Sequence, residues 1–179
     1  MEKATLANGC FWCTEAIFKR LKGVESVKSG YANSNVPNPT YEQVCSKTTG
    51  AAEALQIKYD PKIVSFETLL DVFFATHDPT TLNRDGANVG DDYRSAIFYQ
   101  NATEKKIAEN KKKELDKSGK YEDKIVTAIT PFSNFYKAED YHQDFYESGQ
   151  RPDYCMFIID PKIRKLLTHF NDKVKEEYK

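Results

Sequence analysis

Short segments in which apolar and polar residues alternate occur at intervals along the chain. Leu55, Ile57 and Tyr59 are the clearest example, because apolar side chains at every second position share one face of a strand. Most of these segments are bounded by Gly, Pro, Asn or Asp, which are typical of turns. The predicted strands cover residues 4–7, 24–31, 54–59, 95–99, 125–129 and 154–159.

A second pattern, with apolar residues three or four positions apart, predicts helices between the strands. Asn8-Gly9 ends the first strand, and Ile17, Phe18 and Leu21 then share one helical face. The first predicted helix begins after Gly9. Further helices are predicted from an N-cap at Ser65 to about Thr76, from an N-cap at Thr103 to near Gly119, from Ala138 to Tyr146 with a stop at Gly149, and from Pro161 onward.

Some strands are close enough in sequence to form hairpins, and others are separated by helices. This mixture predicts an α+β fold, a two-layer sandwich in which helices pack on a mixed β-sheet around a ferredoxin-like core. A chain of 179 residues with 40% hydrophobic content can close one core, so we expect residues 1–179 to form a single domain. The polar segment from His77 to Asp92 has no apolar period, and loops of that length are often functional.

Charge gives little indication of a large polyelectrolyte partner. Lys and Arg total 26 against 27 for Asp and Glu, so no net field attracts nucleic acid or an anionic membrane. Residues 1–7 lack the apolar run of a signal peptide, and no later segment has the length of a membrane span. We therefore expect a cytoplasmic monomer with no nucleic-acid or membrane partner.

Four cysteines in an intracellular domain suggest chemistry or metal binding, because cytosolic thiols are kept reduced. Cys10 falls at a predicted strand-to-helix junction, where the unpaired amides and dipole of the helix favour a thiolate. Cys13 lies one helical turn further on, close enough for a disulfide or for a metal knuckle. Cys10 is thus the candidate nucleophile, and the spacing leaves both uses of the pair open.

Two alternative functions follow from the same cysteines. A structural zinc site in a non-catalytic binding module would need a second close pair of ligands, whereas Cys45 and Cys155 are isolated and the histidines are scattered. A thioredoxin-type dithiol oxidoreductase would also begin a helix with its two thiols, but Phe11-Trp12 is an unusually bulky insert between them.

The segment Gly9-Cys10-Phe11-Trp12 resembles the active-site signature of the peptide methionine sulfoxide reductase A family. Further segments resemble that family in the same order, between about residue 4 and about residue 160. They are Ser29-Gly30-Tyr31-Ala32, Asn38-Pro39-Thr40-Tyr41, Val44-Cys45-Ser46, Thr49-Gly50, Ala52-Glu53-Ala54, Tyr59-Asp60-Pro61, His77-Asp78-Pro79-Thr80, Tyr93-Arg94-Ser95-Ala96-Ile97 and Ala138-Glu139-Asp140-Tyr141-His142-Gln143.

The resemblance implies that Cys10 reduces the S epimer of methionine sulfoxide, free or in proteins, without a bound cofactor. A sulfoxide sulfur is a poor electrophile until its oxygen is protonated or strongly hydrogen-bonded. Glu53, Tyr41 and Tyr93 lie where the family keeps those donors. If aromatic neighbours desolvate Glu53, its carboxyl would hold a proton near neutral pH.

The resemblance also implies the remaining site residues. Phe11 and Trp12 would enclose the substrate methyl group. Oxygen transfer would leave a sulfenic acid on Cys10, which a second thiol converts to a disulfide for reduction by a thioredoxin-like protein. Cys155 occupies the place of the family's commonest resolving cysteine, with Cys13 as its rival. We expect Cys155 first, because an extended tail reaches a site more freely than a thiol fixed on a helix.

Some positions depart from the family pattern, and for two others we expect a structural rather than a catalytic role. Ala51 stands where the family usually has His, and Asn88, a substrate-binding candidate, stands where it has Asp. The glycine-rich tail of many members is replaced by Asp160-Pro161 and a helix. We expect His142 to be a hydrogen-bonding residue on a helix face rather than a catalyst, and Cys45 to be a buried small hydrophobe.

Overall fold

A six-stranded mixed sheet crosses the molecule in a computed structural model that describes residues 1–179. The strands are β1 (Glu2–Asn8), β2 (Val24–Ala32), β3 (Ala52–Tyr59), β4 (Arg84–Asp85), β5 (Asn88–Val89), β6 (Ser95–Tyr99), β7 (Ala128–Pro131) and β8 (Phe135–Lys137). The large sheet has the order β7-β6-β1-β3-β2-β8, while β4 and β5 form a separate hairpin. Only β6 and β7 pair in parallel, so the sheet is mixed as predicted.

The helices follow the strands along the chain. They are α1 (Phe11–Phe18), α2 (Tyr41–Cys45), α3 (Phe66–Ala75), α4 (Ala102–Lys117), α5 (Phe145–Ser148), α6 (Pro152–Tyr154) and α7 (Asp160–Phe170), and a π-helical turn, Cys155–Ile159, joins the last two. Ser65 caps α3 as predicted, because its side chain accepts a hydrogen bond from the Thr68 amide. These elements confirm the predicted α+β class.

The two-residue period of β3 separates two apolar clusters. Leu55 and Ile57 belong to a large cluster that joins the sheet to α1, α3, α4 and α7. Ala52 and Ala54 belong to a smaller cluster on the alternate positions. Glu53 lies two residues before Leu55 and therefore on the same face of β3 as Leu55 and Ile57. Its side chain points toward the helices rather than toward water.

The strand predicted at Tyr154–Ile159 is wrong, because this segment is helical. Cys155 and Ile159 are buried while Met156, Phe157 and Ile158 are exposed, which is a four-residue period and not an alternation. Pro152 starts the helical run and the π turn continues directly into α7. The C-terminal segment is therefore not the extended tail that the sequence suggested.

The helix predicted from Ala138 to Tyr146 is also largely wrong. Strand β8 ends just before it, a 3-10 turn covers Asp140–His142, and α5 is only four residues long. Asp144 has a left-handed backbone with φ of 56°, which interrupts a continuous helix. Gly149, also left-handed, ends α5 where the sequence predicted a stop.

Two other boundaries differ from the prediction. The N-cap of α4 is Asn101 and not Thr103, because the Asn101 side chain accepts from the Glu104 amide at 2.9 Å. Strand β7 starts at Ala128, since the Ile125 amide donates to Asp116 and not to a neighbouring strand.

The polar loop from His77 to Asp92 carries the β4–β5 hairpin. No helix is both long enough and apolar enough to cross a membrane.

Candidate active site

Cys10 lies at the turn between β1 and α1, as the sequence predicted. Gly9 makes the turn with φ of 102°, and Cys10 is the N-cap of α1. The Cys10 carbonyl accepts hydrogen bonds from the amides of Cys13 and Thr14 at 3.1 and 3.3 Å. The Cys10 side chain is buried, so the thiol faces the protein interior at the start of a helix.

Cys10 and Cys13 are two buried thiols one helical turn apart. Burial raises the pKa of Cys10 well above its ordinary value, and the neighbouring Cys13 raises it further. The neighbouring Cys10 lowers the pKa of Cys13 in spite of burial, and the Lys162 ammonium lowers it again. The surroundings thus favour the thiolate at Cys13, whereas the helix-terminus argument favoured it at Cys10.

Tyr154 and Cys155 complete the surroundings of the two thiols. The Tyr154 hydroxyl lies 3.9 Å from Sγ of Cys13, and burial raises its pKa, so it is neutral beside the thiols. Asn88, the substrate-binding candidate, lies on β5 of the hairpin and is half-buried. Cys155 is buried in the same apolar cluster as Cys10 and Cys13. We call these three cysteines the thiol cluster.

Cys45 does not join the thiol cluster. It ends the short helix α2, whose buried position is the neighbouring Val44, so Cys45 is only half-buried. Burial raises the pKa of its thiol above the ordinary value. The expectation that Cys45 is a fully buried small hydrophobe is therefore wrong.

Glu53 is buried beside the start of α1. Its Oε2 accepts a hydrogen bond from the Phe11 amide at 3.2 Å, and the side chain is 2% exposed. Burial raises the pKa of Glu53 to about 8, against the hydrogen bond from Phe11, and the charge of Asp92 adds to the rise. At neutral pH the carboxyl holds a proton next to the residue that follows Cys10.

Tyr41 and Tyr93 lie near the same carboxyl. Burial raises the pKa of both tyrosines, and the charge of Glu53 raises each further, so both hydroxyls stay neutral donors. Tyr41 is held at the start of α2, where its amide donates to Glu139 at 3.0 Å. Glu139 also accepts from the Tyr31 hydroxyl at 2.9 Å.

Aromatic side chains around Phe11 and Trp12, which we call the aromatic wall, pack beside Cys10. Phe11 is buried against Tyr31 and His142, with ring centroids 5.8 and 5.0 Å away. Trp12 is partly exposed and stacks on Phe145 at 3.7 Å. His142 accepts a hydrogen bond from Trp12, so its expected hydrogen-bonding role holds, but it occupies a 3-10 turn and not a helix face.

Several polar residues of the site escaped the sequence analysis. Asp85 Oδ2 lies 3.4 Å from the Cys10 amide, and Asp85 Oδ1 lies 3.5 Å from Nζ of Lys162. Asp92 is 1% exposed and 3.5 Å from Lys47. The two aspartates fall in the long polar loop, which was the only signal for them, and no sequence pattern distinguished Lys162.

Ala51 is the position at which a family histidine is replaced. Ala51, in the place of the family's usual His, is buried and donates its amide to Thr49 Oγ1. No three His, Cys, Asp or Glu side chains converge as the ligands of a metal ion would. The structure thus brings Cys10, Cys13 and Cys155 together, with Glu53 buried at the start of the same helix.

Comparisons with known proteins agree with the resemblance found in the sequence. The sequence model of the family described as peptide methionine sulfoxide reductase matches residues 2–174. The chain is 54% identical over 176 residues to the peptide methionine sulfoxide reductase MsrA of Saccharolobus solfataricus, covering 98% of each chain. It is 54% identical over 175 residues to MsrA 1 of Rhodopirellula baltica, covering 97% of this chain and 90% of that one.

Solved structures give the same result for the fold. The reduced form of Mxr1 from Saccharomyces cerevisiae is 39% identical, with a TM-score of 0.76, and the match covers 85% of this chain and 86% of that one. Mxr1 in complex with Trx2 also matches, at 34% identity and a TM-score of 0.56, over 80% of this chain and 84% of that one.

Proposed function

Because this chain belongs to the peptide methionine sulfoxide reductase A family, we propose that it reduces the S epimer of methionine sulfoxide, free and in proteins, to methionine. The observation that carries this proposal is the buried carboxyl of Glu53, whose pKa is raised to about 8 at the start of the helix that Cys10 caps. A proton donor and a nucleophile are thereby available together at neutral pH.

In the first step, Cys10 attacks the sulfoxide sulfur while its own proton passes to the Cys13 thiolate. Glu53 protonates the sulfoxide oxygen, and the neutral hydroxyls of Tyr41 and Tyr93 donate hydrogen bonds to it. Oxygen is transferred to the Cys10 sulfur, which is oxidised to a sulfenic acid, and methionine leaves in its reduced form. The aromatic wall of Phe11 and Trp12 encloses the substrate methyl group.

In the second step, a thiol of the cluster condenses with the sulfenic acid to form a disulfide and water. Cys13 is the first partner in this proposal, because it lies one helical turn from Cys10 in the same buried cluster. The earlier preference for Cys155 assumed an extended tail, but Cys155 lies in a helical segment. Cys155, which is buried in the same cluster, would take over the disulfide in a second exchange.

The reductant in this proposal is a thioredoxin-like protein. The structural similarity to Mxr1, which has been solved in complex with Trx2, supports it. A thioredoxin-like dithiol would attack the disulfide and return the protein to its reduced form.

The test is a single turnover with the reduced protein and one equivalent of an S sulfoxide of a methionine derivative. We expect stoichiometric methionine and a new disulfide, which peptide mapping by mass spectrometry identifies as Cys10–Cys13, or as Cys13–Cys155 after longer incubation. Cys10→Ser should form no methionine, and Cys45→Ser is the matched control that should form it normally. No methionine from the native protein, combined with rapid reduction of a disulfide substrate, would favour a dithiol oxidoreductase instead.

A further inference from the structure

A partly buried ion pair connects α7 to the β4–β5 hairpin, next to the start of α1. Nζ of Lys162 on α7 lies 3.5 Å from Oδ1 of Asp85, and the two side chains are 19% and 13% exposed. The other oxygen of Asp85 accepts the Cys10 amide at 3.4 Å. Asp85 therefore holds Lys162 on one side and the backbone of the nucleophile on the other.

The charges around Cys13 differ in sign. Cys10 and Cys155 share its apolar cluster, and the Tyr154 hydroxyl lies 3.9 Å from its sulfur. The carboxyl groups of Glu53 and Asp85 lie at the start of the same helix, where they bond the amides of Phe11 and Cys10. Lys162 brings the positive charge to this region through its ion pair with Asp85. Burial alone would lower the pKa of Lys162, but the charges of Cys13 and Asp85 raise it, so the ammonium persists. In a site shielded from water, such an attraction is stronger than at the surface.

We propose that Lys162, oriented by Asp85, is a positioning residue that holds Cys13 as a thiolate for disulfide formation. The inference rests on the proposed function, because it concerns the thiol that resolves the sulfenic acid. Cys13, which accepted the proton of Cys10 in the first step, releases that proton to solvent and attacks the Cys10 sulfur as a thiolate. An S–S bond forms and the S–O bond breaks. Hydroxide leaves and takes a proton from solvent to give water, while Lys162 stays charged throughout.

The experiment compares Lys162→Met with Lys165→Met, which removes an exposed lysine from the same helix. Rapid quenching after one equivalent of sulfoxide separates methionine release from disulfide formation at each pH. We expect Lys162→Met to release one equivalent of methionine but to form the disulfide about tenfold more slowly at pH 7, because a smaller fraction of Cys13 is then thiolate. The rate should recover at higher pH, and Lys165→Met should match the native protein.

Two further measurements distinguish a charge effect from a folding defect. Lys162→Arg keeps the charge and should restore most of the rate at pH 7. In a background of Cys10→Ser, Cys45→Ser and Cys155→Ser, ultraviolet titration of the remaining Cys13 thiolate should move to higher pH with Lys162→Met. If Lys162→Met and Lys165→Met give the same thiolate titration and the same pH dependence of disulfide formation, the inference is wrong. If the native protein forms no methionine, the proposed function itself is wrong.

Discussion

The indole Nε1 of Trp12 donates a hydrogen bond of 3.0 Å to Nδ1 of His142. His142 is fully buried and burial lowers its pKa, so the ring is neutral and its proton lies on Nε2. One bond between residues 130 positions apart thus fixes both the orientation of the indole beside Cys10 and the tautomer of the histidine.

Trp12→Phe removes the donor and leaves Nδ1 of His142 buried without a partner. We expect the free energy of unfolding to fall by about 1–3 kcal/mol. In the double variant Trp12→Phe with His142→Phe, the loss should be smaller than the sum of the two single losses, since neither polar group is left unpaired. Urea denaturation of the four proteins measures the coupling, and strictly additive losses would contradict it.

Glu53→Gln should remove the proton donor without removing the side-chain volume. The single-turnover rate of the native protein should decline as the pH rises through about 8, because the carboxyl then loses its proton. The variant should be slower by about 10²–10⁴-fold and should lack that decline. Glu109→Gln, at an exposed position, is the control and should keep the native profile.

The same substitution should change the pH dependence of stability. Glu53 has a pKa of about 8 in the folded protein against an ordinary value of 4.5, so between these values the folded chain keeps a proton that the unfolded chain releases. The native free energy of unfolding should fall across this window as the pH rises, by on the order of 4 kcal/mol from this group. Urea denaturation at several pH values should show that the free energy of unfolding of Glu53→Gln rises relative to that of the native protein from pH 4.5 to 8. The same pH dependence in both proteins would exclude a raised pKa for Glu53.

Gly9→Ala tests the close approach of the hairpin to the nucleophile. A Cβ at Gly9 would lie 2.2 Å from Oδ2 of Asp85, and φ of 102° is unfavourable for alanine. We expect a loss of at least about 2 kcal/mol in the free energy of unfolding. Gly86→Ala shares a positive φ but meets no atom within 4 Å, so it should cost only about 1 kcal/mol. Equal losses in urea would show that Asp85 does not constrain Gly9.

Local patterns predicted those parts of the fold that depend on neighbouring residues. The alternation of Leu55 and Ile57 predicted strand β3, whereas a buried Glu53 was expected only from the family resemblance. The prediction failed where two periods compete over a few residues, as at Cys155–Ile159, because packing against the rest of the chain decided between strand and helix.

The sequence by itself determined the α+β class, the family and the position of Cys10 at a helix start, since these follow from local periods and ordered motifs. The tertiary structure decided the lowered pKa of Cys13, the raised pKa of Glu53 and the pairing of Lys162 with Asp85. The physical reason is that burial and Coulomb interaction depend on distances through space, which separations along the chain do not fix.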